Sequence, residues 1–451
     1  MHWLLHEQFQ MLFLLLAATV APDSAEARRL DNWPQWRGPL SNGVAPRGNP
    51  PLKWGEKENV RWKVALPGEG HSSPIVWDDR VFVLAAQRTD RTAESPPKPD
   101  ADAKTKPPAN VYRFLTLAID RKTGKTLWER VATEEVPREG RHDTNSYASA
   151  SPITDGRLVY ACFGSRGIFC YDLQGELKWK KDLGDMRTRF GWGEGASPAL
   201  HGEVLVVPWD QESSSFIAGL DARTGEVRWR ADRDEPTSWA TPLVVEAAGR
   251  VQAIVNATNK VRSYDLLTGD VIWQCGGQTV NVIPSPVAGD GFVVCMSGYR
   301  GAAAFAVSLD SKGDVTGTDK VRWKLSRGTP YVPSPLLYDD RLYFTQTNSS
   351  VLTCVEAGTG KVLLSGERLP GIQNLYASPV GAAGRVYFTA REGTVLVIRH
   401  GVPLEVLATN RLDDPIDASP AIAGRQLFLR SARHLYCLEE AEPAGKAENA
   451  E

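Results

Sequence analysis

The sequence predicts an all-β protein, an eight-bladed propeller whose ring is closed by a strand from the N-terminal side. Three observations carry this expectation. Eight Ser-Pro or Thr-Pro pairs form a spaced series along the 451 residues, with proline at 74, 152, 198, 242, 286, 335, 379 and 420. After most pairs come runs of β-branched and aromatic residues, then an acidic residue, Thr-Gly and a tryptophan. The spacing settles at 41–49 residues after a first gap of 78. A lone four-stranded sheet of that size cannot bury both faces, so such units stack on one another around an axis.

Each piece of the repeat has a physical task. Runs such as Arg80-Val81-Phe82-Val83 and Arg341-Leu342-Tyr343-Phe344 are β-formers bounded by turn residues, four strands to a unit. The turn reads Asp120…Thr123-Gly124…Trp128, then Asp221…Thr224-Gly225…Trp229 and Asp265…Thr268-Gly269…Trp273, with a variant Asp172…Gly175…Trp179. An Asp there can fold its side chain back onto backbone N–H groups, and Gly supplies the positive φ of a tight hairpin. The tryptophan offers a flat surface for docking one blade on the next, so Trp62, Trp128, Trp179, Trp229, Trp273 and Trp323 are the expected docking set. The position holds Leu364 in the sixth repeat, and the seventh, around 401–405, has lost the pattern.

The eighth repeat ends after His434-Leu435-Tyr436-Cys437-Leu438 with no Trp strand. Its missing strand reads upstream, as Asn59-Val60-Arg61-Trp62-Lys63-Val64, which parallels Lys320-Val321-Arg322-Trp323-Lys324-Leu325. That strand should complete the last blade and remove its exposed edge.

The organisation expected from this is residues 1–27 as a signal peptide, 28–53 as a leader, 54–439 as the propeller and 440–451 as a disordered tail. The apolar run 11–20 is shorter than the about 20 residues a bilayer demands, and Ala25-Glu26-Ala27 suits cleavage after Ala27. Residues 1–10 carry no Lys or Arg, which makes Met11 an alternative start. No Cys lies near the cleavage point, so the expectation is a periplasmic or secreted protein without a lipid anchor. Residues 88–111, rich in Pro, Lys and Asp, read as a disordered insertion in the first blade.

Composition excludes several partners. With 52 basic against 54 acidic residues there is no basic stripe for nucleic acid. Seven His and six Cys show no metal-ligand spacing. Cys170, Cys354 and Cys437 stand where other repeats place Ala118, Gly219 and Ser263, and so read as small core residues. Cys162 and Cys170 flank a tight turn and are the pair that could bridge a hairpin.

The small-x-Asp…Gly…Trp repeat with its Ser-Pro starts resembles the pyrroloquinoline-quinone (PQQ) repeat over roughly residues 54–438. That family includes the quinoprotein dehydrogenases and the non-catalytic relatives of BamB. The opening Trp33-Pro34-Gln35-Trp36-Arg37-Gly38-Pro39…Asn42-Gly43-Val44 looks like the leader of exported members, many from planctomycetes. The resemblance implies that residues just before each Ser/Thr-Pro ring one mouth of the central channel. These are His71, Tyr147, Trp192, Glu194, Trp239, Asn281, Tyr331, Tyr376 and Asp417. Two readings stand for them: a site for a ligand with a flat or apolar part, or packing that fills the channel.

The dehydrogenases that this repeat resembles hold Ca²⁺ beside PQQ with a Glu, an Asn and an Asp. Glu194 and Asn281 could imitate two of these, but Ser326–Val332 offers no carboxylate and no two Cys are adjacent. The loop Arg138–Tyr147, with His142 and Asp143, reads as solvated, with no matching nucleophile. The expected function is therefore a non-catalytic, BamB-like interaction platform or ligand-binding module of the cell envelope. It is expected to be monomeric, to lack a cofactor, and to meet envelope proteins or an exported ligand. PQQ and Ca²⁺ belong only to the alternative, a quinoprotein dehydrogenase; a polysaccharide or aromatic ligand at the mouth is a further one.

Overall fold

The strands form eight antiparallel sheets arranged in a ring, in a computed structural model that describes residues 24–441. Blade 3 shows the unit: Ala199–His201 innermost, then Val204–Trp209, Ser215–Asp221 and Val227–Arg233 at the outside. The second strand is buried at every residue because blades cover both of its faces. The outer strand alternates, with Trp229 turned inward between exposed neighbours.

Tryptophan docking explains the repeat's turn. The indole N–H of Trp128 donates to the Leu173 carbonyl of the next blade at 2.9 Å, and Trp179 donates to Ala222 at 3.0 Å. Trp229 reaches Leu266 and Trp323 reaches Ala357, both at 2.8 Å. Each ring lies on the glycine of the neighbour's turn. A Cβ on Gly225 would come within 2.6 Å of Trp179, and one on Gly269 within 2.5 Å of Trp229. Glycine is needed there for contact as well as for φ. The preceding Asp does cap its turn: the Asp221 carboxylate accepts from the backbone N–H groups of Arg223 and Thr224.

Trp273 departs from the rule. The following blade replaces its turn with a longer excursion, and Gly313–Asp314 pairs in parallel with Val271–Cys275. Trp273 is fully buried and donates instead to Gln252 of its own blade.

Closure follows the expected route. Val60–Ala65 pairs antiparallel with His434–Leu438, so the last sheet runs through Gln426–Arg430 to Ala421–Ala423 inside. Trp62 then donates to Arg121 of blade 1 at 2.9 Å, docking blade 8 on blade 1 as the other tryptophans dock their neighbours.

The Ser/Thr-Pro pairs close a second, inner ring. The backbone N–H of Ser73 donates to the Ser151 hydroxyl, Ser151 to Ser197, Ser197 to Thr241 and Thr241 to Ser285. Ser285 donates to Ser334, Ser334 to Ser378, Ser378 to Ser419 and Ser419 back to Ser73. The eight bonds span 2.8–3.2 Å. A hydroxyl at each position satisfies a main-chain donor that no strand ladder reaches.

Residues 88–111 differ from the expected disorder. The flanking strands Arg80–Thr92 and Asn110–Asp120 run into this segment, and its middle reaches across to the loop that begins blade 3. The Lys104 N–H donates to the Phe190 carbonyl at 2.8 Å, the Thr105 hydroxyl donates to the Gly191 carbonyl, and Arg187 pairs with Asp102. Its polar composition is met by main-chain bonds and ion pairs rather than by apolar burial.

A short helix, Ser24–Leu30, contains Ala27, where cleavage is expected; the apolar run 11–20 and residues beyond 441 lie outside the described residues. No helix among the described residues is long and apolar enough to cross a membrane. All six cysteines are buried and free, and Cys162 and Cys170 sit opposite Ile168 and Tyr160 rather than each other.

Candidate functional site

The leader lies across one end of the channel. Trp33 donates its N–H to Val76 of blade 1 and Thr154 of blade 2 donates to Pro34, whereas Ala45 donates to Gly381 of blade 7. Between these anchors Trp36 lies over the axis beside the inner prolines 152, 198, 242 and 286, where a void of about 20 Å³ remains. Arg37 is buried and spans blades 6 and 7, donating to the carbonyls of Pro335 at 2.7 Å and Pro379 at 2.8 Å. Burial alone pulls its pKa down to about 9. The channel is therefore a cup, with Trp36 in its floor and the hydroxyl ring in its wall.

The cup holds about 330 Å³, at the lower end of the roughly 300–1,000 Å³ common for small-molecule sites. A positional rule governs its lining. The residue two before each Ser/Thr of the ring faces it: His71, Ser149, Gly195, Trp239, Ile283, Val332, Tyr376 and Asp417. All eight lie in the entry segments that lead into the innermost strands, at the same place in every blade. Trp192 and Tyr331 join them from loops, as do Tyr299, His142 and Asn145.

Of the nine expected residues, six line the cup and three do not. Tyr147 packs edge-on against Tyr112 at 5.1 Å, with the Arg141 guanidinium over its ring, and burial raises its pKa. Glu194 turns between blades 2 and 3, accepting from the Ser165 N–H at 2.8 Å and from its hydroxyl. That approach requires Gly164, where a Cβ would collide with the carboxylate. Burial pushes the Glu194 pKa up to about 7, opposed by the Ser165 hydrogen bonds and reinforced by Glu139. Asn281 is buried in a left-handed conformation, φ 56°, beside the Tyr331 hydroxyl. Tyr147 and Asn281 stand four residues before their Ser and Glu194 three, away from the position two before it that faces the cup in every blade.

Two halves make up the cup wall. One is an aromatic arc: Trp192 lies 6.4 Å from both Trp239 and Tyr299, and Tyr299 stacks on Tyr331 at 4.9 Å. His142 contacts Trp192 edge-on at 5.6 Å, so the loop expected to be solvated supplies part of the lining. The other half is polar. Asp417 receives a bidentate pair of bonds from Arg391, at 2.6 and 3.0 Å, and the Arg391 guanidinium lies 4.3 Å over Tyr376. His71 lies 3.8 Å from Asp417, yet its pKa falls to about 4. Burial is the largest cause; Asp417 opposes it, while Arg430, Arg141 and Arg391 add to it. His71 is therefore neutral at physiological pH.

The residues present do not fit a PQQ–Ca²⁺ centre. Ca²⁺ takes six to eight oxygen ligands from converging side chains. Here Glu194 points at Ser165, Asn281 is buried outside the cup, and Asp417 is already held by Arg391. No cluster of three or more His, Cys, Asp or Glu suited to a metal occurs among the described residues.

Residues 115–366, more than half of the chain, match the sequence family described as outer membrane protein assembly factor BamB. No curated protein matches the sequence. Quinohemoprotein alcohol dehydrogenase from Comamonas testosteroni superposes with a TM-score of 0.61 at 10% identity, over 94% of this chain and 83% of that one. The quinohemoprotein alcohol dehydrogenase ADHIIG of Pseudomonas putida HK5 gives 0.57, also at 10% identity, over 94% and 83%. BamB from Moraxella catarrhalis gives 0.49 at 14% identity, over 77% and 99%. Likeness at such identities is likeness of fold.

Proposed function

This chain belongs to the family of outer membrane protein assembly factor BamB, and from that premise we propose that it is a non-catalytic, exported propeller that binds a small ligand in the cup. The observation that carries the reading is the 330 Å³ cup itself, blind at the leader and walled by aromatics on one side and a fixed ion pair on the other. Packing residues would have filled that space. Pre-formed concave sites with a few convergent polar groups are the usual form of ligand sites. A BamB-like role in the cell envelope is compatible with it, the ligand tying the propeller to material outside the cytoplasm.

The reading assigns the protein no cofactor and no redox chemistry. Incubation with PQQ and Ca²⁺ should yield no dye-linked oxidation of alcohols or sugars, while ring compounds in a thermal-shift screen should raise the melting temperature. Oxidation that disappears in Glu194→Ala would replace the binding module with a quinoprotein dehydrogenase. An unchanged melting temperature across the screen would leave the protein-interaction platform as the better account.

A further inference from the structure

We propose that the ligand of the cup is an acidic sugar, a pyranose ring bearing a carboxylate. This rests on the binding-module reading and names its ligand. Three features of the cup converge on it.

The first is charge. The one carboxylate in the cup wall, Asp417, is neutralised by Arg391. Behind the wall stand two buried guanidiniums that no carboxylate among the described residues pairs with. Arg37 donates only to carbonyls, beneath the floor, with its guanidinium 5.9 Å from the Trp36 ring. Arg430 donates to the carbonyls of Ser72, next to His71, and of Leu84. Carbonyl dipoles orient these cations without cancelling their charge. In a poorly polarisable surrounding their field reaches the cup and favours an anion.

The second is the aromatic arc, which offers faces for the C–H side of a pyranose. The third is the opposite half. His71, Asp417 and the hydroxyl ring give planar and hydroxylic partners for ring hydroxyls. A purely aromatic acid would satisfy the charge and the arc but leave these polar groups dehydrated and unmet, which is costly.

The test is calorimetric titration of the full chain with methyl β-glucuronide, methyl β-glucoside and benzoate. The glucuronide should bind about tenfold more tightly than the glucoside, through the field of cations behind the wall, and more tightly than benzoate. Trp192→Ala and Tyr376→Ala should both abolish the heat. Arg430→Met should shrink the glucuronide's advantage; if that variant does not fold, the affinity ratio in the wild type still decides. Equal binding of glucuronide and glucoside overturns the charge assignment, and tightest binding of benzoate overturns the sugar, but either leaves the module reading intact. Binding that survives Trp192→Ala and Tyr376→Ala puts the site elsewhere. Silence from all three overturns the acidic sugar, whereas the module reading falls only if the wider thermal-shift screen is silent too.

Discussion

Glu194 illustrates what a single residue's surroundings do to its chemistry. As a sequence feature it is a carboxylate near an expected rim; in the fold its oxygens meet Ser165 between two blades, and burial holds the pKa near 7 against an ordinary 4.5. A carboxyl whose folded pKa is raised is stabilising below the unfolded value and loses that contribution as pH rises through the folded one. Urea melts of the wild type should therefore weaken between pH 4.5 and about 7 relative to Glu194→Gln, and level off above that, by on the order of 3 kcal/mol for a shift of this size. A pH-independent difference between the two would mean that the carboxylate is hydrated and that its burial is misread. The residue-scale failures of sequence reading share one cause. Tyr147, Glu194 and Asn281 were legible as residues near the inner strand, but which way each turns is set by the path of the entry loop before each Ser and its tertiary contacts.

At the scale of elements, the repeat was legible almost in full. The period placed the strands, the Asp-to-Gly turn and five of the six docking tryptophans, because each is a local device copied from blade to blade. Trp273 escaped because its partner turn was replaced by an excursion whose path depends on tertiary pairing. The insertion 88–111 escaped for a related reason: Val111 is its one large aliphatic residue, and its order comes from carbonyls and arginines of a blade remote in sequence. Two substitutions separate the two rings of contacts. Trp229→Ala removes a ring that is 7% exposed and should cost roughly 3–5 kcal/mol in urea melts, as for other large core aromatics. Ser285→Ala strands the half-buried Thr241 N–H and should cost about 1 kcal/mol. Losses near zero in both would mean that neighbouring blades are held by strand packing alone.

For the molecule as a whole, closure was legible and the cup was not. The upstream Trp62 strand announced its place by repeating the fifth repeat's Val-Arg-Trp-Lys. Trp36 and Arg37 have no counterpart in any blade, so nothing in the periodic sequence marks them as a floor. Yet the floor turns an open channel into a blind site, and the site is what distinguishes a binding module from a scaffold. Fluorine NMR of protein labelled with 5-fluorotryptophan tests this most directly, because nine of the fourteen tryptophans fall into two classes. Trp36, Trp192 and Trp239 line the cup, whereas Trp62, Trp128, Trp179, Trp229, Trp273 and Trp323 are buried in and between blades. Titration with methyl β-glucuronide, methyl β-glucoside and benzoate should shift the three cup resonances and leave the six blade resonances in place. Shifts confined to the blade tryptophans, or cup resonances unmoved by every compound, would contradict a ligand site in the channel mouth.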